Sequence, residues 1–196
     1  MKHENVQEKL IDRTIQVIAV NGMDKTTTKA IAAGIGISEV YIYRHFANKE
    51  DLLSKAFDKL DCELIEKLTV HFPVLYTSGM SFENRLRFLF AEIWKFLLGN
   101  QEKCIAYVRY YYSPYFASHS VEAHKERFAP LVQKVDEGFL EEANTRMLMN
   151  YALGTMLSFA IKVFDGDVPN DADTAEHVFR VVYYAIKPYL KRKEES

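Results

Sequence analysis

Residues 26–53 read TTTKAIAAGIGISEVYIYRHFANKEDLL, and they parse as two short helices, a tight turn between them and the start of a third helix. Thr27 suits an N-cap, and the helix it opens runs to about Gly34 with Ile31 and Ala32 facing inward. Gly34-Ile35-Gly36-Ile37 is the corner: a position near Gly36 can take a positive φ without a Cβ penalty, while the isoleucines keep the corner packed. Ser38 is placed as the next N-cap, its oxygen accepting from an unpaired backbone N–H, ahead of a helix over Glu39–Phe46. Asn48, with Asp51 three residues on, opens the third helix. Helix, glycine turn and helix make the layout in which the second helix enters the DNA major groove.

Short side chains at the start of such a helix let its backbone approach the groove floor. Glu39, Val40 and Tyr41 are therefore the candidates for base edges, with Ser38 beside them. Glu39 accepts from a base amino group, Val40 touches a thymine methyl, and Tyr41 offers ring or hydroxyl. Thr28 and Lys29, at the start of the preceding helix, are placed to clamp the DNA backbone from the other side.

Ile31-Ala32, Gly36-Ile37-Ser38, Ile42-Tyr43-Arg44-His45-Phe46 and Lys49-Glu50-Asp51-Leu52-Leu53 together resemble the N-terminal signature of TetR/AcrR-type repressors. The match in motif covers about residues 8–55, and the remainder is similar in length and helical character only. The resemblance implies that Tyr43, His45 and Lys49 hold DNA phosphates, and a hydroxyl, an imidazole and an ammonium suit that task. The positive end of the helix beginning near Lys49 would favour a phosphate too. Ile31, Ile42 and Phe46 read as core.

Outward from this stretch the chain is all-α. Its 196 residues are 48% hydrophobic, and only five prolines and eight glycines interrupt them, so a sizeable core is available and disorder is not expected. Helical spacing predicts helices over 5–21, 48–70, 81–98, 102–112, 121–140, 143–164 and 172–190. The expected division is a helix-turn-helix unit over 1–50 and a helical effector-binding and dimerisation region over 51–196. The net charge is −2, and residues 1–50 carry seven Lys/Arg against six Asp/Glu. Phosphate contact must then come from a few placed groups and not from a broad basic field.

The last two helices each carry nearly two apolar stripes where a surface helix needs one. Burial on two sides, against the core and against a partner, explains this. Tyr151, Gly154, Thr155 and Ser158 on one helix, and Val178, Val182 and Ile186 on the other, are the candidate interface. The resemblance implies the same homodimer, paired through those two helices, on a pseudo-palindromic double-stranded operator. It also implies a small-molecule site between about residues 82 and 164. Phe90, Trp94, Tyr107, Tyr110, Tyr111 and Phe159 are its candidate walls, and aromatic walls suit a small lipophilic or aromatic effector.

Cys62 and Cys104 lie in apolar helical contexts with no CxxC, the pattern of buried, reduced thiols. The N-terminus has no apolar leader segment, and no run of 18 apolar residues occurs. A cytoplasmic protein without a membrane partner is expected. His119, Glu122 and His124 do not share one helical face and have no cysteine partner, so no metal site is read from them. Gly34-Ile35-Gly36 lacks the preceding strand and third glycine of a dinucleotide loop, and GxSxG, P-loop and HExxH patterns are missing. No cofactor and no enzymatic activity are expected. The reading is a ligand-released transcriptional repressor; the alternative is a helical enzyme or small-molecule carrier that kept the fold and lost DNA binding.

Overall fold

The computed structural model describes residues 3–136 and 138–191. Among the described residues ten α-helices follow in order: α1 (His3–Asn21), α2 (Thr28–Gly34), α3 (Glu39–Ile42), α4 (Lys49–His71), α5 (Phe82–Gly99), α6 (Gln101–Tyr111), α7 (Pro114–His119), α8 (Val121–Asp136), α9 (Thr145–Phe164) and α10 (Ala172–Ile186), with 3₁₀ turns at Phe72–Tyr76 and Lys187–Tyr189. Among the described residues there is no strand, only one isolated bridge between Phe139 and Leu190.

The chain forms two compact units, and the division does not fall at residue 50. One unit holds the described residues up to Leu64 together with Asn100–Lys125; the other holds Ile65–Gly99 and the described residues from Glu126 onward. In the first, α1, α2, α3 and the start of α4 share a core of Val6, Leu10, Val17, Ile31, Ala32, Ile42, Phe46 and Leu52. Ile31 and Ile42 are fully buried, as their spacing predicts. α1 ends at Gly22, whose φ of +77° lets its N–H turn back to the Ile18 carbonyl at 3.0 Å. Arg109 of α6 finishes that end, its Nη1 donating to the carbonyls of Ile18 (3.1 Å) and Ala19 (2.9 Å). A guanidinium suits a helix C-terminus, where carbonyls carry partial negative charge.

In the second unit α5 packs on α9 and α10. Phe90 stacks on Trp94 at 5.9 Å between ring centroids and meets Phe179 of α10 edge-on at 5.4 Å. Asn144 and Asp171 cap α9 and α10, accepting from Met147 N (3.0 Å) and Thr174 N (2.8 Å).

Beyond the helix-turn-helix, two helix ends and one added helix differ from the expected ones. α8 stops at Asp136, not 140, because the next backbone groups pair elsewhere: Leu140 N donates to Tyr189 O at 2.9 Å and Lys191 N to Gly138 O at 3.0 Å. α10 stops at Ile186, not 190, because Pro188 has no N–H to continue the ladder. Pro114, expected only to break α6, opens the further short helix α7, as proline does at a first helical position.

Candidate functional site

The helix-turn-helix follows the expected order of helix, corner and helix, with differences in its caps and in the length of its second helix. Thr27 caps α2, its hydroxyl oxygen accepting from Ala30 N at 3.1 Å. Gly36 takes a φ of +71° at the corner. Gly34, at the end of α2, is covered by the Arg13 side chain so closely that a Cβ there would lie 1.9 Å from Arg13 Nε. Ser38 stands in extended geometry at the mouth of α3, but its side chain makes no capping bond. α3 itself is regular only over Glu39–Ile42. The chain goes on as a turn held by Phe46 N donating to Ile42 O at 3.0 Å, so the expected helix to Phe46 is shorter.

The exposed surface of this segment includes Lys29, Ser38, Glu39, Val40, Tyr43 and Arg44. Val40 is 70% exposed and Tyr43 52%, large side chains turned to the surface. Tyr41 lies differently from expectation. It is half-buried against the core, with the Arg44 guanidinium 5.1 Å over its ring and the His45 ring at 5.2 Å. His45 is half-buried with its Nε2 inward. Lys49 is half-buried, its Nζ 5.5 Å above the ring of Tyr115 in α7. Thr28 is buried, and its hydroxyl donates to Glu39 Oε1. It does not stand open beside Lys29, as the backbone-clamp expectation had it.

Asn48 Oδ1 accepts from Asp51 N (2.8 Å), and Asp51 Oδ2 reaches back to Ala47 N (2.9 Å). This is the expected box one residue wider, and it meets the positive end of α4 with the chain's own carboxylate. The cationic side chains beside the start of α4 are Lys49 and Arg44, the second of which has no role in the sequence analysis. Its signal was available: Arg44 stands four residues from Val40, so both belong to one helical face.

A cavity of about 300 Å³ lies in the second unit, walled by residues of α4, α5, α8, α9, α10 and the turn Phe72–Tyr76. Among the described residues no charged side chain lines it, and Tyr76 and Tyr183 bring the only hydroxyls. Of the six expected wall residues Phe90 lines it. Trp94 stacks on Phe90 without reaching the space, and Phe159 does not line it. Tyr107, Tyr110 and Tyr111 belong to the other unit, where Phe57 stacks on Tyr110 at 4.7 Å and Tyr111 meets Phe116 at 4.4 Å. There Tyr107 Oη donates to Asp61 Oδ1 (3.2 Å), and Tyr110 Oη bonds with Ser120 Oγ (2.9 Å). The candidate-wall reading of these tyrosines thus places them in the wrong unit, because the sequence does not say which distant helices a side chain meets.

The expected dimer residues divide in the same way. Val178, Val182 and Ile186 are buried within the chain, and the last two line the cavity. Tyr151 and Ser158 are exposed, Thr155 is half-buried, and no atom lies within 4 Å of where a Cβ on Gly154 would stand. Met147 joins them on α9 at helical spacing, and α10 exposes Val181 and Tyr184. By length and composition α9 is apolar enough to cross a membrane, with a mean hydropathy of 1.4 over a window of which 22% is buried in the chain.

Residues 10–56 match the sequence pattern of the bacterial regulatory proteins of the tetR family. A fatty acid metabolism regulator protein of Bacillus subtilis (strain 168) is 36% identical over 59 residues, 30% of this chain and 30% of that protein. Such matches span between 30% and 41% of the length of the curated relatives. The fold is similar throughout to a TetR family transcription regulator from Marinobacter aquaeolei VT8, with a TM-score of 0.76, 17% identity, and coverage of 98% of this chain and 100% of that one. It is also similar to the fatty acid degradation regulator FadR from Bacillus halodurans, with a TM-score of 0.66, 20% identity, and coverage of 93% and 96%.

Proposed function

We propose that the chain, whose residues 10–56 match the pattern of the bacterial regulatory proteins of the tetR family, is a cytoplasmic, homodimeric transcriptional repressor released from its operator by a lipophilic effector. The observation that carries the DNA reading is the exposed face of Ser38, Glu39, Val40, Tyr43 and Arg44, with Lys49 opening the next helix. In this reading Val40 and Glu39 meet base edges, Tyr43, Arg44 and Lys49 hold phosphates, and one such face serves each half-site.

The effector reading rests on the cavity and on the continuity of α4. The helix that begins at Lys49 runs unbroken to His71, and its Leu68, with Phe72, Leu75 and Tyr76 of the following turn, lines the cavity. A ligand in that space touches the far end of the element whose first residue is a proposed DNA contact. Effector and DNA then need only prefer different conformers, and a coupling of about 1–3 kcal/mol is enough. The uncharged wall asks for a ligand with a long or broad apolar body. The name of the Bacillus subtilis relative makes lipid-derived molecules the first to try.

Fluorescence anisotropy on DNA from upstream of the protein's own gene tests this. Wild type and a Tyr43→Phe/Lys49→Ala variant are compared across a salt series, with and without apolar ligands. Steep salt dependence is expected for wild type, and a slope shallower by about 1 for the variant, because one phosphate contact loses its charge. A lipophilic ligand should lower DNA affinity. Weak, salt-insensitive binding, equal in both proteins on this DNA and on DNA selected from random sequence, would remove the repressor reading. Ligand binding that survived such a result would favour the carrier.

A further inference from the structure

Thr28 and Glu39 are both expected to meet DNA directly, yet they are bonded to each other. Thr28, on the first turn of α2, is only 7% exposed, and its hydroxyl proton goes to Glu39 Oε1. Glu39 is the first residue of α3 and is exposed. A buried threonine whose donor is spent has nothing left to give a phosphate. What the bond changes is the glutamate. An exposed glutamate samples many rotamers, and beside a phosphate backbone it would swing away from the negative charge. Here one oxygen is tied to a buried side chain on the neighbouring helix. Oε2 has no hydrogen-bond partner among the described residues.

We propose that Thr28 is a positioning residue that presents Glu39 Oε2 as a pre-set acceptor in the major groove, making one position of each half-site cytosine. This rests on the repressor reading above. The chemistry selects the base. A carboxylate only accepts, so it needs an amino group on the base edge, which cytosine (N4) and adenine (N6) offer and guanine and thymine do not. Adenine places the N7 lone pair beside its amino group, which repels the carboxylate and suits an amide instead. Guanine shows two acceptors and is rejected most strongly, so the charge discriminates by repulsion as well as by attraction. Holding the rotamer before binding removes part of the ordering cost that a free glutamate would incur on reaching the groove.

Selection of binding sites from random DNA by the purified full-length protein, followed by sequencing, tests it. Wild type should enrich cytosine over guanine at one position per half-site by on the order of tenfold. Glu39→Ala should flatten that position alone. Thr28→Val should weaken the preference there several-fold while Thr28→Ser, which keeps the donor, retains it. A purely structural Thr28 would instead change affinity for all sites alike. Glu39→Gln gives a check that does not alter Thr28. With Thr28 still bonded to the amide oxygen, the outward atom becomes an N–H donor, and enrichment should move from cytosine to bases with an acceptor edge. Unchanged base preference in Glu39→Ala, in Glu39→Gln or in a folded Thr28→Val would overturn the proposal. Failure of wild type to enrich any site would overturn the repressor reading, and this inference with it.

Discussion

Cys62 and Cys104 are the same side chain in opposite surroundings. Both sit in apolar helical sequence, and the expectation of two buried thiols holds for one. Cys104 is buried in α6, where loss of hydration pushes its thiol from an ordinary 9.0 up to about 12. Cys62 is exposed on α4, since an apolar neighbourhood in sequence does not say which side of the helix a given residue faces. Native protein should therefore react at one thiol with a bulky disulfide reagent, the second becoming available only in denaturant. Linkage adds a sign. Between 9.0 and about 12 the unfolded chain ionises Cys104 while the folded chain keeps it protonated. The stability present below that window is thus lost as pH rises through it, at no more than about 1.4 kcal/mol per pH unit. Urea midpoints for wild type should fall faster there than for Cys104→Ala; parallel decline would contradict the burial.

At the scale of elements, α4 carries an anchor that no spacing rule marks. Asp61 is fully buried, and its Oδ1 accepts from Tyr107 Oη at 3.2 Å and from His124 Nδ1 at 3.0 Å. A carboxylate cannot donate, so Nδ1 is the nitrogen that carries hydrogen in this pair. One side chain of α4 thus fastens α6 and the first turns of α8. Asp61→Ala takes that acceptor from two buried donors, and the expected loss is about 3 kcal/mol, read from urea unfolding at neutral pH. A loss below about 1 kcal/mol would mean that water or a neighbour replaces the carboxylate. The same helix supplies Leu68 to the cavity wall, so its middle and its far end do different work, polar fastening at Asp61 and apolar contact at Leu68.

For the whole molecule the question is what covers the outward faces of α9 and α10. Met147 and Tyr151 on one, and Val181 and Tyr184 on the other, are between 41% and 61% exposed. In the proposed dimer a second copy of the chain covers the outward face of α9, which is apolar enough by composition for a membrane span and includes Gly154 and Ser158, small residues that permit close helix approach. Sedimentation velocity should show wild type as a dimer and a Tyr151→Lys/Tyr184→Glu variant as a monomer with unchanged helical signal. Loss of the second half-site contact should weaken operator binding by at least about a hundredfold. A wild type that sediments as a monomer at micromolar concentration would remove the dimer from the proposal.

Local rules were enough for what local rules govern. Thr27, Gly36 and Asn48 act as cap, corner and cap because capping bonds and a positive φ depend on residues within a turn of one another. The inward position of Ile31, Ile42 and Phe46 follows from helical period. The all-helical class and the family signature follow from the same kind of information, continuous along the chain. Tertiary structure decided everything that depends on which distant surface a side chain meets. Tyr107 and Phe90 read alike as inward aromatics, yet one meets Asp61 and the other a cavity. Val182 reads as interface and packs as wall. Thr28 reads as a phosphate clamp and is spent on Glu39. Spacing tells which way a residue points from its own helix axis, whereas its partner is chosen by helices far away in sequence, and only their packing assigns it.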